Sequence, residues 1–311
     1  METIKPTFSE LFEQTINFPD PDMQERFNML VGLDDVKEKL NKIIGLLINP
    51  DGVKEWADKY HPEAKKALSF VTMRPPLVIL AGDVGSGKSE LAYTIGDSVS
   101  RQEHLDVQLF PLSLSTRGQG RVGQMTQLIS AAFGYTLEQA KKLKNASGKS
   151  KGAVILLIDE ADALAQSREN DQMHHEDKAG VNAFIRGIDS LGNGKFPAAV
   201  IMCTNRPYAR DPAIKRRAAE IVYFKRPTEE GRMLVLSEPL KELGFKTEDI
   251  NAIVKLTGPL QGRDYGFTFS DLTQRLIPSL VLDAYPSRSV NAKRSIEIIK
   301  SILPTTPFKE N

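Results

Sequence analysis

The stretch GDVGSGKS, residues 82–89, has the residue types needed to surround a polyphosphate. Glycines let backbone N–H groups turn toward phosphate oxygens, and a helix starting there adds the positive end of its dipole. The stretch satisfies G-x-x-x-x-G-K-[ST] in full, from Gly82 through Asp83, Val84, Gly85, Ser86 and Gly87 to Lys88 and Ser89. Lys88 has the reach for β- and γ-phosphates, and Ser89 offers an oxygen to Mg2+. Further along, VILLIDE (154–160) ends in two carboxylates. Asp159 is placed to hold a metal or its waters, and Glu160 to orient and activate an attacking water. CTNR (203–206) puts Thr204 and Asn205 at another strand end, with Asn205 suited to sense that water. DPAIKRR (211–217) then sets Lys215, Arg216 and Arg217 side by side. Lys215 has Asp211 one helical turn back and Arg216 has Glu220 one turn on, which leaves Arg217 without a good local partner.

Such groups work only if one scaffold brings them together. PLVILAG (76–82) reads as a buried strand and 87–100 as the helix after it. Residues 106–114 read as a strand, 122–133 as a helix, 153–160 as a strand and 178–190 as a helix. Residues 198–205 form the next strand, the short helix with Arg216 and Arg217 follows, and 220–224 is the last strand. Apolar strands with helical crossovers predict an α/β fold with a parallel five-stranded sheet covered on both faces. After Pro227 the strand signals stop. Residues 229–242, 247–256, 270–285 and 290–302 read as helices of a small all-helical second domain, and PTTPFKEN (304–311) as a disordered tail.

Ahead of the first strand, Leu33, Val36, Leu40, Ile43, Ile44 and Leu47 share one helical face, and Asn49-Pro50 ends that helix. A second helical stretch carries Trp56, Tyr60 and Ala64. Near the start, Phe8, Leu11, Phe12 and Ile16 share a face in 7–16, with Thr7 and Glu10 at capping-box spacing. That segment either docks on the protein's own core or meets a partner. The expected division is 1–30, 31–226, 227–303 and 304–311.

Composition narrows the function. The 311 residues suggest about two domains. A formal net charge of +1 gives no global field to attract nucleic acid or an anionic membrane. The most basic stretch, 141–152, reads as a solvated loop. One cysteine, Cys203, excludes a disulfide framework and suits a reducing, cytoplasmic compartment. The longest purely apolar run, AVILLI (153–158), is too short to span a bilayer. The first residues lack the long apolar core of a secretory signal. His61, His104, His174 and His175 show no metal-ligand spacing.

In order, VGLDDVKEKL, GDVGSGKS, VILLIDEADAL, CTNRPYARDPAIKRR and the helical segment resemble the AAA+ ATPases across about residues 31–303. The resemblance implies a P-loop α/β domain with a helical lid, ATP and Mg2+ as ligands, and hexameric rings with nucleotide between subunits. It implies nucleotide-binding roles for Val31, Gly32, Asp159 and residues 82–89, Mg2+ at Ser89 and Asp159, and catalytic roles for Glu160 and Asn205. Arg217, with Arg216 as the alternative, falls where the family carries an arginine that reaches a neighbour's γ-phosphate. Such a finger is worth about 10³–10⁵ in rate, or about 4–7 kcal/mol, against under about 1 kcal/mol for an exposed ion pair.

KRRAAEIVYFKRP, in place of the commoner R-P-G-R-F-D continuation, and QRLIPSLVLDAY are similar to the pachytene-checkpoint-type remodellers of HORMA-domain proteins. The short segment ahead of the ATPase core is similar to the bacterial form associated with CD-NTase (CBASS) anti-phage systems. The resemblance thus implies an ATP-driven remodeller with a HORMA-domain partner. The rival readings are a loader or initiator acting on nucleic acid, which the near-zero net charge opposes, and a nucleotide-gated scaffold, which the intact Asp159, Glu160, Asn205 and arginines oppose. The sequence departs from the family in two places. Ser270, Asp271 and Leu272 stand where a Ser-Gly precedes the lid arginine, leaving Arg275 as the nearby substitute. The expected pore loop STRGQGRVG (115–123) has no aromatic, so either Arg117, Arg121 or Val122 touches substrate or the grip differs; a second pore loop is expected at 166–177, where Met173 and His174 either face the channel or, the reading favoured here, belong to a solvated loop. Residues 1–30 carry no nucleotide-site element and are expected to bear on substrate action.

Overall fold

In the computed structural model the described residues are 11–12, 14–114, 124–144, 150–162, 164, 175–192, 194–206 and 211–308. Six strands form one sheet: β1 (Ile16–Phe18), β2 (Leu77–Gly82), β3 (Asp106–Ser113), β4 (Gly152–Asp159), β5 (Ala198–Thr204) and β6 (Ala218–Phe224), in the spatial order β1-β3-β4-β5-β2-β6. The pairs β3–β4, β4–β5 and β2–β5 are parallel. Every residue of β2 and β5 is buried, as near-continuous Val, Ile, Leu and Ala runs require when helices cover both faces of a sheet. The core beside the sheet includes Phe110, Phe133, Leu156, Ile158 and Phe184. Truncating one of these to alanine costs about 2–5 kcal/mol.

The register fixes where the chemistry emerges. Ser113 pairs with Asp159, Ile158 with Met202, and Ala81 with Thr204. The carboxyl ends of β2, β3, β4 and β5 are therefore level, the edge at which open α/β sheets bind ligands.

The sheet has six strands rather than the expected five, because β1 adds an antiparallel edge beside β3, with Ile16 opposite Leu109 and Phe18 opposite Val107. Three residues are too few for a period-two pattern to stand out, yet Ile16 and Phe18 are buried and Asn17 is exposed, as alternation demands. Phe18 lies over Gly96, where any Cβ would strike its ring. The Asp20 N–H donates to buried Asp97 at 2.7 Å. Of the expected helix over 7–16, Leu11 is helical and Ile16 belongs to a strand instead, while residues 1–10 and 13 lie outside the described residues. Leu11 and Phe12 are buried, with the Phe12 ring 5.3 Å from Phe110 and 5.7 Å from Tyr135, so this part docks on the protein's own core. A helix that the sequence did not mark, Pro21–Asn28, follows. At the first helical position proline starts a helix, because its missing N–H would have no partner there anyway.

The chain forms two compact units. The first comprises Met1–Asn28, Asp35–Ala81 and Ser89–Tyr223, and the second Met29–Asp34, Gly82–Lys88 and Phe224–Asn311. The second has its own core, including Leu236, Leu240, Ile253, Phe267, Leu276 and Ile299. Its helices Glu229–Glu242 and Thr247–Leu256 have the expected bounds. The third begins as a π-helical turn, Asp271–Leu276, and continues as Ile277–Ala284, and the last is Ala292–Ser301. The expectation of a loose tail fails for 304–308. The Thr305 N–H and hydroxyl donate to Asp271 at 3.0 and 2.8 Å, and the Phe308 N–H to Asp83 at 3.3 Å. Among the described residues, no helix is long and apolar enough to cross a membrane.

Candidate nucleotide site

Gly82 ends β2, and a helix, Lys88–Glu103, begins within the motif. The loop between can form because Gly85 and Gly87 adopt φ of +72° and +92°, a region that side chains rarely enter. Space is also short: a Cβ on Gly85 would sit 2.7 Å from the Thr268 hydroxyl, and the Gly85 carbonyl accepts the Ser270 N–H at 3.0 Å. Lys88 is buried, its ammonium donating to the carbonyls of Gly82 (3.0 Å) and Asp83 (2.7 Å) and lying 3.3 Å from the Ser86 hydroxyl. Val31 and Gly32 belong to the same compact unit as this loop. Gly32 has φ +78° and lies against the Phe269 ring, and a Cβ on Gly87 would meet Leu33 at 3.2 Å.

In the first unit, the Ser89 hydroxyl donates to Asp159 at 3.1 Å. Two hard oxygen donors this close fit Mg2+, which takes one or two protein oxygens and keeps several waters. The same Asp159 oxygen accepts the N–H of Glu160 at 2.9 Å. Glu160 is exposed and holds φ of +53°, an uncommon and costly conformation for a side-chain-bearing residue. Its neighbour's N–H, on Ala161, bonds the Cys203 carbonyl at 2.9 Å and so fixes the turn to β5.

Asn205 is held by a residue that the sequence did not single out. Asp162 accepts from the Thr204 hydroxyl (2.8 Å), the Asn205 N–H (2.7 Å) and the Asn205 side-chain amide (3.2 Å). Its carboxylate therefore fixes which way that amide points. Asp162 was visible only as another acid in IDEAD, with no spacing to tie it to a strand end over forty residues away.

The arginine turn departs from expectation. Asp211 caps the short helix Pro212–Lys215 by accepting the N–H groups of Ala213 and Ile214, and Glu220 pairs with Lys39 at 3.1 Å. Arg217 has a partner after all. Its Nε and Nη2 donate to the two carboxylate oxygens of Asp189 at 2.6 and 2.9 Å, and its Nη1 to the Ala213 carbonyl at 3.1 Å. Those bonds to Asp189 raise the arginine's already high pKa. Asp189 is 28 positions away, beyond any local spacing rule. Arg216 is exposed, and among the described residues its guanidinium has no partner.

Arg275, the substitute lid arginine, pairs with buried Asp271 at 2.7 Å. Burial alone would raise Asp271, but the Thr268 N–H, the Thr305 hydroxyl and N–H and Arg275 together hold it below the usual carboxylate range. The pore-loop candidates Arg117, Arg121, Val122, Met173 and His174 lie outside the described residues.

Comparison with known proteins agrees with this arrangement. Residues 78–226 match AAA, the ATPase family associated with various cellular activities. CD-NTase-associated protein 6 of Escherichia coli (strain MS 115-1) is 61% identical over 305 residues, covering 98% of each chain. The chain belongs to the AAA ATPases. A second CD-NTase-associated protein 6, from E. coli strain KTE188, is 34% identical to this AAA ATPase over 96% of its length and 97% of the relative's. Among solved structures, a chain of the E. coli MS115-1 HORMA:CdnC:Trip13 complex superposes with TM-score 0.90 at 59% identity, over 98% of this AAA ATPase and all of that chain. Rhizobiales Trip13 gives 0.74 at 51% identity, covering 96% and 100%. As an AAA ATPase the chain is an enzyme that hydrolyses ATP to ADP and phosphate.

Proposed function

We propose that this AAA ATPase uses ATP hydrolysis to remodel a HORMA-domain protein that controls a CD-NTase, in the bacterial cytoplasm and as a hexameric ring. The observation that carries the reading is the match, over nearly the whole of both chains, to a chain of a HORMA:CdnC:Trip13 complex. The residue chemistry supports it. Residues 82–88 bind the phosphates through backbone N–H groups, and Lys88 supplies the cation for the β- and γ-oxygens. Ser89 and Asp159 hold Mg2+, which when bound offsets phosphate charge. Glu160 takes the proton of the attacking water. Asn205, aimed by Asp162, orients that water.

An arginine of the 216–217 turn stabilises charge on a neighbouring subunit's nucleotide. Arg217's pairing with Asp189 does not disqualify it. The pair is partly exposed, 31% at the arginine and 53% at the carboxylate, and costs about 1 kcal/mol to break, against about 4–7 kcal/mol available from a finger. Arg216 has no such bond to break among the described residues.

The test combines the chain with a HORMA protein and a CD-NTase from the same defence system. Wild-type enzyme with ATP should dissociate the HORMA–CD-NTase complex and lower second-messenger synthesis. Glu160→Gln in ATP should capture the HORMA protein without releasing it. Undiminished synthesis, together with no HORMA capture by Glu160→Gln, would overturn the reading.

A further inference from the structure

The residue after the first glycine of the phosphate loop is an acid. Asp83 sits in a segment whose backbone N–H groups suit phosphate oxygens, and its carboxylate has the wrong sign for that ligand. Across distances on the order of 10 Å, like charges still repel through protein by a few-fold in affinity per charge. A bare carboxylate here would oppose nucleotide binding.

The same compact unit answers that charge. Arg226, just beyond β6, places Nε 2.7 Å and Nη2 2.6 Å from one Asp83 oxygen. Its Nη1 donates to the Gly266 carbonyl at 2.7 Å, and its guanidinium carbon lies 5.1 Å from the centre of the Tyr265 ring. The two side chains are only 14% and 16% exposed. The other Asp83 oxygen accepts the N–H groups of Val84 at 3.1 Å and Phe308 at 3.3 Å. The Asp83 carbonyl meanwhile accepts from Lys88 at 2.7 Å. One residue of the loop is thus bound to the strand exit, the chain's last described residue and the phosphate-binding lysine. Arg226 is held on three sides by Asp83, Gly266 and Tyr265.

We propose that Arg226 is a positioning residue for nucleotide binding: it neutralises the loop's own carboxylate and ties the loop to the helical unit through Tyr265 and Gly266. The proposal rests on the reading of residues 82–89 as the nucleotide site. A pair that only braced the fold would behave differently, because losing either partner would then do similar harm. A charge-balancing pair gives effects of opposite sign.

The experiment titrates a fluorescent ADP against the full chain at low and high salt. Arg226→Gln should weaken binding by about five- to twentyfold at low salt, and the deficit should shrink as salt rises. Asp83→Asn, which leaves the Arg226 charge uncompensated beside the loop, should bind a few-fold more tightly than wild type at low salt. The double variant, Asp83→Asn with Arg226→Gln, should recover most of what the arginine substitution lost. Wild-type affinity in Arg226→Gln, equal losses in both single variants without recovery in the double, or a deficit that ignores salt would each overturn the proposal. Should Arg226→Gln fail to fold, Asp83→Asn decides alone, and weakened binding in it sinks the idea. Lys88→Ala keeps the two readings apart. Near-normal affinity in that variant would overturn the nucleotide site itself, whereas lost affinity there with an unaffected Arg226→Gln removes only the role of Arg226.

Discussion

The phosphate loop and the arginine turn are both built at strand ends, yet they treat their cations in opposite ways. In the loop, Lys88 is buried and its ammonium already meets two carbonyls and a hydroxyl. In the turn, Arg217 is bound to an exposed carboxylate at Asp189, and Arg216 stands in solvent. A group that works on its own chain's ligand can be pre-set by buried neighbours. On the proposed reading the arginine works on another subunit's nucleotide, and such a group must stay cheap to redirect. The weak, partly exposed ion pair and the solvated arginine both meet that need.

The sharpest way to break this comparison is to remove the arginines. We expect Arg216→Ala or Arg217→Ala to keep nucleotide binding while one of them lowers turnover by about 10³-fold or more. Mixing that variant with Lys88→Ala subunits should restore part of the activity, because some interfaces then carry both an intact loop and an intact arginine. No recovery in verified mixed assemblies would place the arginine's role within its own chain. Next in size is Glu160→Gln, which should bind ATP normally and hydrolyse it about 10²–10⁴-fold more slowly. Turnover within a few-fold of wild type would assign the proton to another group. A smaller loss, on the order of tenfold in kcat with KM little changed, should follow Asp162→Asn, which keeps the size but reverses part of the hydrogen-bonding around Asn205. An unchanged kcat would show that Asn205 needs no such support.

The smallest effect concerns stability. Asp271 is depressed in the folded state, so its contribution is present above the unfolded carboxylate pKa of about 3.9 and is lost as pH falls through the lower folded value. Thermal stability should therefore decline on the acid side. Asp271→Asn should flatten that decline and cost about 1–3 kcal/mol near neutral pH. An unaltered acid profile in the variant would show that other carboxylates control it.

The strands β2, β4 and β5 were legible because each is a dense apolar run leading into a motif of defined chemistry. The helices Glu229–Glu242 and Thr247–Leu256 lie where the sequence placed them, near 229–242 and 247–256. Ser89 and Asp159 were named from motif and strand end, and the structure brings their side chains together. What remained hidden depends on contacts between distant segments. Asp162, Asp189 and Arg226 are ordinary charged residues until folding sets them beside Asn205, Arg217 and Asp83. The helix Gln124–Lys142 outran its expected end at 133 because Leu137 and Ala140 continue to pack against the core, a tertiary reason that local patterning under-weights. The docked 304–308 segment was hidden in the same way, its anchors being Asp271 and Asp83.

The short strand β1 also bears on solubility. Without Ile16–Phe18, the outer backbone of β3 at 107–109 would present unpaired N–H and C=O groups next to apolar side chains, a template for strand addition by other chains. Three residues are enough to occupy those positions and too few to offer a long new edge, and Pro19 cannot donate an N–H to extend the pairing. Trimming the chain through residue 20 would strip this cover and the Asp20–Asp97 bond together. The trimmed protein would then tend to precipitate through its β3 edge, an outcome that could be mistaken in an activity assay for a loss of substrate handling.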